Sequence, residues 1–129
     1  MSMFWPKRFF ALGAALTFVG CATVPAPLYT WGNFPRHQYE ALLREGVSPL
    51  DQIAAMNAHA EKAKANNQSL PPGFRAHLGM LHLGVGNVGA ARDLWLAERA
   101  AFPESAPYIE SLLKKLDEPS KAEAKEKQV

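Results

Sequence analysis

Cysteine is almost missing from this 129-residue chain: Cys21 stands alone. An intramolecular disulfide is thereby excluded, and so is a metal site built from several thiolates. A charge surplus is missing too. Of the 14 basic residues, Lys7 and Arg8 lie near the N-terminus, and the twelve others are matched by 12 acidic residues. Beyond that N-terminal stretch no basic excess exists to hold nucleic acid; only a local patch could. No Lys, Arg, Asp or Glu occurs between Phe9 and Pro35, and no strand-like alternation occurs after Cys21. Composition is otherwise ordinary for a globular chain, with room for one small domain.

A catalytic constellation is also lacking. His37, His59, His77 and His82 are scattered, and none forms an HExxH pair. His77 and His82 are five apart, on different faces of one helix. Gly84-Val85-Gly86 with Gly89 follows no strand, so it is not a phosphate loop. Glu98, Arg99 and Glu104 read as a solvated face. The expectation is a protein that is not an enzyme, with no metal, no identified small-molecule substrate and no cofactor beyond a covalent lipid.

What is present begins with MSMFWPKRFFALGAALTFVGC. Lys7 and Arg8 form a positive segment, Phe9 to Val19 an apolar one, and Gly20 is the small residue before Cys21. That order is a signal peptide's. Phe18, Val19, Gly20 and Cys21 resemble the bacterial lipobox, with Phe18 where Leu is usual. The resemblance implies removal of residues 1–20 and lipid transfer to the Cys21 thiol. Two alternatives stand beside it. One is an uncleaved anchor, but a span needs about 20 apolar residues. Pro25 and Pro27 interrupt this stretch after about 16. The other is ordinary secretion with a free Cys21. Lipoproteins of this kind carry two or three acyl chains, which hold a bilayer far better than one. Ala22 stands where an Asp would retain a lipoprotein in the inner membrane. The implied location is the outer membrane, lipid-anchored, on its periplasmic face.

Residues 21–35 read as a lipidated tether interrupted by Pro25, Pro27, Gly32 and Pro35. Tyr29, Trp31 and Phe34 are unusual in a linker. They suit a lid over the helical core, a membrane-interface belt or a partner contact. From Arg36 the periodicity is helical. Tyr39, Leu42 and Leu43 form one stripe, ended by Gly46. Ser48 and Pro49 open a second helix to about Ala65. A third runs from about Gly73 to Val85, and a fourth from Val88 to Ala101, stopped by Pro103. Ser105 caps a fifth, Ala106 to Leu116. The stretch 36–116 is thus one helical domain. Residues 117–129, rich in Lys, Glu and Ala, read as a disordered tail.

The third and fourth helices resemble a tetratricopeptide repeat. Leu78-Gly79 supplies the Leu-Gly pair, Ala91 the small residue, Trp95 the aromatic and Pro103 the closing proline; His82 replaces the usual Tyr. Gly79 and Ala91 allow close helix approach, with Leu78, His82 and Trp95 filling the space beside them. The expected fold is all-α: a short tetratricopeptide-like array of about five antiparallel helices. Two units plus a cap are fewer than such arrays normally need, so another surface must cover the open faces. Leu28 to Phe34, Pro72 to Ser105 and Leu112 to Leu116 also resemble an uncharacterised family of small proteobacterial lipoproteins. Its members have no assigned activity and are often found beside other outer-membrane lipoproteins, including one resembling the curli secretion channel.

These readings converge on a lipid-tethered, protein-binding helical scaffold in an envelope assembly. The alternative is a structural subunit stabilising a neighbouring lipoprotein or channel-like complex. Its partners would be the membrane, through the lipid, and other envelope proteins, neighbouring lipoproteins among them. The candidate partner-binding residues are Tyr29, Trp31, Phe34, Tyr39, Arg75 and His82.

Overall fold

The computed structural model describes residues 24–43 and 46–118. Phe18, Val19, Gly20, Cys21 and Ala22 lie outside the described residues, as does the tail from 119. Five helices lie among the described residues: α1 (Phe34–Leu43), α2 (Pro49–Ala65), α3 (Phe74–Gly84), α4 (Val88–Ala101) and α5 (Ala106–Asp117). A 3-10 turn, Pro103–Ser105, joins α4 to α5.

Local chemistry sets most boundaries. Ser48 Oγ accepts a hydrogen bond from Leu50 N at 3.3 Å, and Pro49 occupies the first turn, where its missing N–H is no loss. Asn87 Oδ1 accepts from Ala90 N at 3.3 Å and opens α4. Gly86, with φ at +82°, makes the turn from α3 to α4. Ser105 is not the cap the sequence suggested. It is already helical (φ −78°, ψ −8°), and its hydroxyl donates back to Phe102 O at 2.7 Å. The 3-10 turn feeds directly into α5, so no separate cap is needed.

The first helix begins at Phe34, two residues before the expected start, and this changes which face is inside. Phe34, His37 and Ala41 recur at i, i+3 and i+7 and turn inward. Tyr39, Leu42 and Leu43, the apolar stripe of this helix, are 63%, 83% and 48% exposed. Phe34 is the anchor, and the outward stripe follows from its register.

The core is two clusters sharing α3. On one side Phe34, Ile53, Met56, Phe74 and Leu78 pack between α1, α2 and α3. On the other, Ala76, Ala91, Trp95 and Ile109 pack among α3, α4 and α5, with Leu112, Leu113 and Leu116 beside them. Leu78 and Trp95 therefore fill different spaces, not the single one expected. Trp95 is 1% exposed, and its Nε1 donates to Ala76 O at 3.1 Å. Gly79 lies flat against that indole. A Cβ there would overlap the ring and sit 3.2 Å from Ala91 O. Ala91 has no exposed surface, Pro103 is exposed at the chain turn, and His82 is half-buried.

Candidate partner-binding surfaces

The segment before α1 is strapped to the helices rather than free. Thr30 N donates to Ser69 O at 2.9 Å, and Tyr29 forms an isolated parallel bridge with Ser69. His59 Nε2 lies 2.9 Å from Thr30 O. A carbonyl only accepts, so that ring nitrogen carries the proton. Gly32, with φ at +49°, presses on the same imidazole: a Cβ there would lie 2.5 Å from His59 Cε1. Only glycine suits both the left-handed backbone and the close approach. Trp31 then stacks on Phe34 with ring centroids 6.3 Å apart, and Phe34 tilts against Phe74 at 5.2 Å.

This geometry separates the aromatic candidates. Phe34 is 2% exposed, so it is a core residue and not a partner contact. Burial against Phe74 and Met56 is the reason: the chain has already become α1 at that position. Trp31 remains 46% exposed on the outer side of Phe34. Tyr29 is half-buried, edge-on to Phe102 at 6.0 Å.

Tyr29 and Phe102 form one end of a cleft of about 640 Å³, with Lys64, Gln68, Ser69 and Arg75 among its polar lining. Two of the sequence candidates, Tyr29 and Arg75, thus line the same cleft, although 46 positions separate them. The first turn of α3 holds Arg75 in place through Glu98. That carboxylate is 1% exposed and accepts from Gly73 N at 2.5 Å and Arg75 N at 3.2 Å. Gly73, the residue preceding α3, has no side chain to cap it, so α4 supplies the acceptor. Glu98 is therefore not part of a solvated face. The signal was in the spacing: Ala91, Trp95 and Glu98 fall at i, i+4 and i+7 on the buried stripe of α4. Arg99, by contrast, is on the surface, 3.7 Å from Glu110, and Glu104 is exposed.

A second surface lies between α1 and α3. Gln38, Ala41, Leu42, His77, Met80 and Leu81 line a groove of about 400 Å³. Ala41 and Leu81 also line an adjoining hollow of about 420 Å³ that reaches Val47 and Gln52. Gln52 is 3% exposed, and its Oε1 is buried without a hydrogen-bond partner. His77 is partly buried in this seam, its Nε2 also unpartnered. Burial first, and the nearby His37 second, push its pKa below the ordinary 6.5. Met80 and Leu81 line this groove although neither is among the sequence candidates, because which face of α3 stays open depends on the helices packed against it. Tyr39 is on the outer flank of α1 and is not brought together with Arg75, which faces the cleft. Among the described residues no group of three or more His, Cys, Asp or Glu could hold a metal ion. No described helix is long and apolar enough to cross a membrane.

The family described as Domain of unknown function (DUF4810) matches residues 28–112. The chain belongs to this family. The DUF4810 match starts at Leu28 and takes in the strap, α1 to α4 and the first half of α5. Residues 28–35 thus belong to the domain and not to a linker ahead of it. No curated protein and no solved structure matches the chain.

Proposed function

We propose that this DUF4810 protein is a lipid-anchored scaffold that binds other envelope proteins along the groove between α1 and α3. The observation that carries the reading is an apolar surface left uncovered. Leu42 is 83% and Met80 43% exposed on the two walls of the groove, which Ala41 and Leu81 also line. Contiguous apolar surface of this kind marks interaction sites. The helices pair as tetratricopeptide-like units, α1 with α2 and α3 with α4, and α5 caps the end. The contact of Gly79 with Trp95 and Ala91 supports the pairing of α3 with α4. In such an array the first helices of the units, α1 and α3, line the binding groove. The anchor is an acylated Cys21, three residues before the described chain begins. Ala22 supports the outer membrane, with the domain facing the periplasm.

A second reading has its own support. The Tyr39, Leu42 and Leu43 stripe lies on the terminal helix, where a permanently bound neighbour would complete the array. The protein would then be a structural subunit of a lipoprotein or channel-like complex.

Affinity capture, acyl labelling and deletion together address both readings. Affinity capture from detergent extract should lose its specific partners when Leu42→Asp and Met80→Asp are combined. Cys21→Ser should abolish acyl labelling and release the protein from the membrane. An unchanged partner set would reject the groove, and labelling that survives Cys21→Ser would reject the anchor. Loss of a partner's abundance on deletion of this protein favours the structural subunit; unchanged abundance favours the scaffold.

A further inference from the structure

We infer that the cleft between Tyr29, Phe102 and Arg75 is a binding site for a small organic carboxylate with an apolar body. It is separate from the α1–α3 groove and stands whether or not that groove binds protein.

The argument starts from the described arginines. Arg36 pairs with Glu40, Arg92 with Asp117 and Arg99 with Glu110. Arg75 is half-buried and pairs with no acid among the described residues. A partly desolvated guanidinium normally finds a carboxylate or phosphate, because its planar donors match two oxygens at once. Glu98 does not serve. Both of its oxygens are spent on the N–H groups of Gly73 and Arg75, and the N-terminal end of α3 offsets its charge. Lys64, on the same cleft, also lacks an ion pair among the described residues. Glu61 is the one acid in the lining; it is exposed and makes no ion pair with either cation.

The rest of the cleft sets the body of the ligand. Tyr29 and Phe102 both line the cleft, packed edge to face against each other, and Leu70 adds apolar lining. The strap holds Tyr29 there through the Thr30 N to Ser69 O bond. A volume of about 640 Å³ is in the usual range for small-molecule sites. Two cations and two aromatic rings in one lining suit a ligand with a charged end and an apolar body, such as an acylated apolar amino acid.

The test uses the protein as recovered from cells, titrated with N-acetylleucine and followed by the Tyr29 and Phe102 ring resonances. N-acetylleucinamide, which has the same body without the charge, is the first control; inorganic phosphate, charge without body, is the second. N-acetylleucine should bind at least tenfold more tightly than either. Arg75→Gln should remove that advantage, Arg75→Lys should keep part of it, and Lys64→Gln should weaken it less. A thermal melt matching the parent shows that the Arg75 variant is folded. Leu42→Asp, in the other surface, should leave the titration unchanged. Equal binding of acid and amide, absence of ring shifts, or full affinity in Arg75→Gln would overturn the site.

Discussion

Glu98 shows how much one residue can decide. It is charged, yet 1% exposed, and it closes the N-terminus of a helix to which it does not belong. A buried donor left without a partner costs about 1–3 kcal/mol. Glu98→Ala strips the acceptor from both Gly73 N and Arg75 N, so it should destabilise the fold by about 3 kcal/mol. Glu98→Gln keeps one amide oxygen and should cost about 1 kcal/mol. Urea unfolding of the three proteins checks the order; equal midpoints would contradict it. Residue type alone pointed Glu98 outward. Its spacing pointed inward, and spacing prevailed because the orphaned N–H groups of α3 could satisfy the carboxylate.

At the scale of elements, close packing of α3 on α4 depends on Gly79. Glycine inside a helix costs about 1 kcal/mol relative to alanine, so Gly79→Ala gains that much in propensity. Against it stands a Cβ inside the Trp95 ring and 3.2 Å from Ala91 O. The ring cannot retreat, since it is buried and its Nε1 is held by Ala76 O. Overpacking of this kind costs about 1–3 kcal/mol. The net change should be a loss, read as a lower melting temperature together with altered Trp95 near-ultraviolet dichroism. A raised melting temperature would mean that the helices separate without penalty. The start of α2 was legible because it carries its own cap, Ser48. The start of α1 was not. Phe34 looked like linker because Gly32 and Pro35 flank it, and its burial depends on Phe74, 40 positions away.

For the molecule as a whole, the seam between α1 and α3 places His77 beside His37 and edge-on to Phe34 at 5.9 Å. Its folded pKa is below 6.5, so between that lowered value and 6.5 the unfolded chain binds more protons than the folded one. Stability therefore rises with pH through this window and falls as the solution is acidified below 6.5. Glu40, 3.8 Å from His37 Nδ1, lies on the same helix as His37. Asp117, held below its ordinary 3.8 by its hydrogen bond with Arg92, acts only in stronger acid. His77→Gln should flatten the fall in melting temperature between pH 7 and about pH 5, and an undiminished slope would assign it elsewhere. The sequence by itself determined the all-helical class, the opening of α2 at Ser48 and Pro49, the stop of α4 before Pro103, and the small contact made by Gly79 and Ala91. These follow from periodicity, capping and side-chain size, which act over a few neighbouring residues. Tertiary structure alone decided that Phe34 is buried, that Tyr39, Leu42 and Leu43 face outward, and that Tyr29 and Arg75 line one cleft. Each depends on which distant surface is available to cover an apolar group or satisfy a polar one, and local spacing does not contain that information.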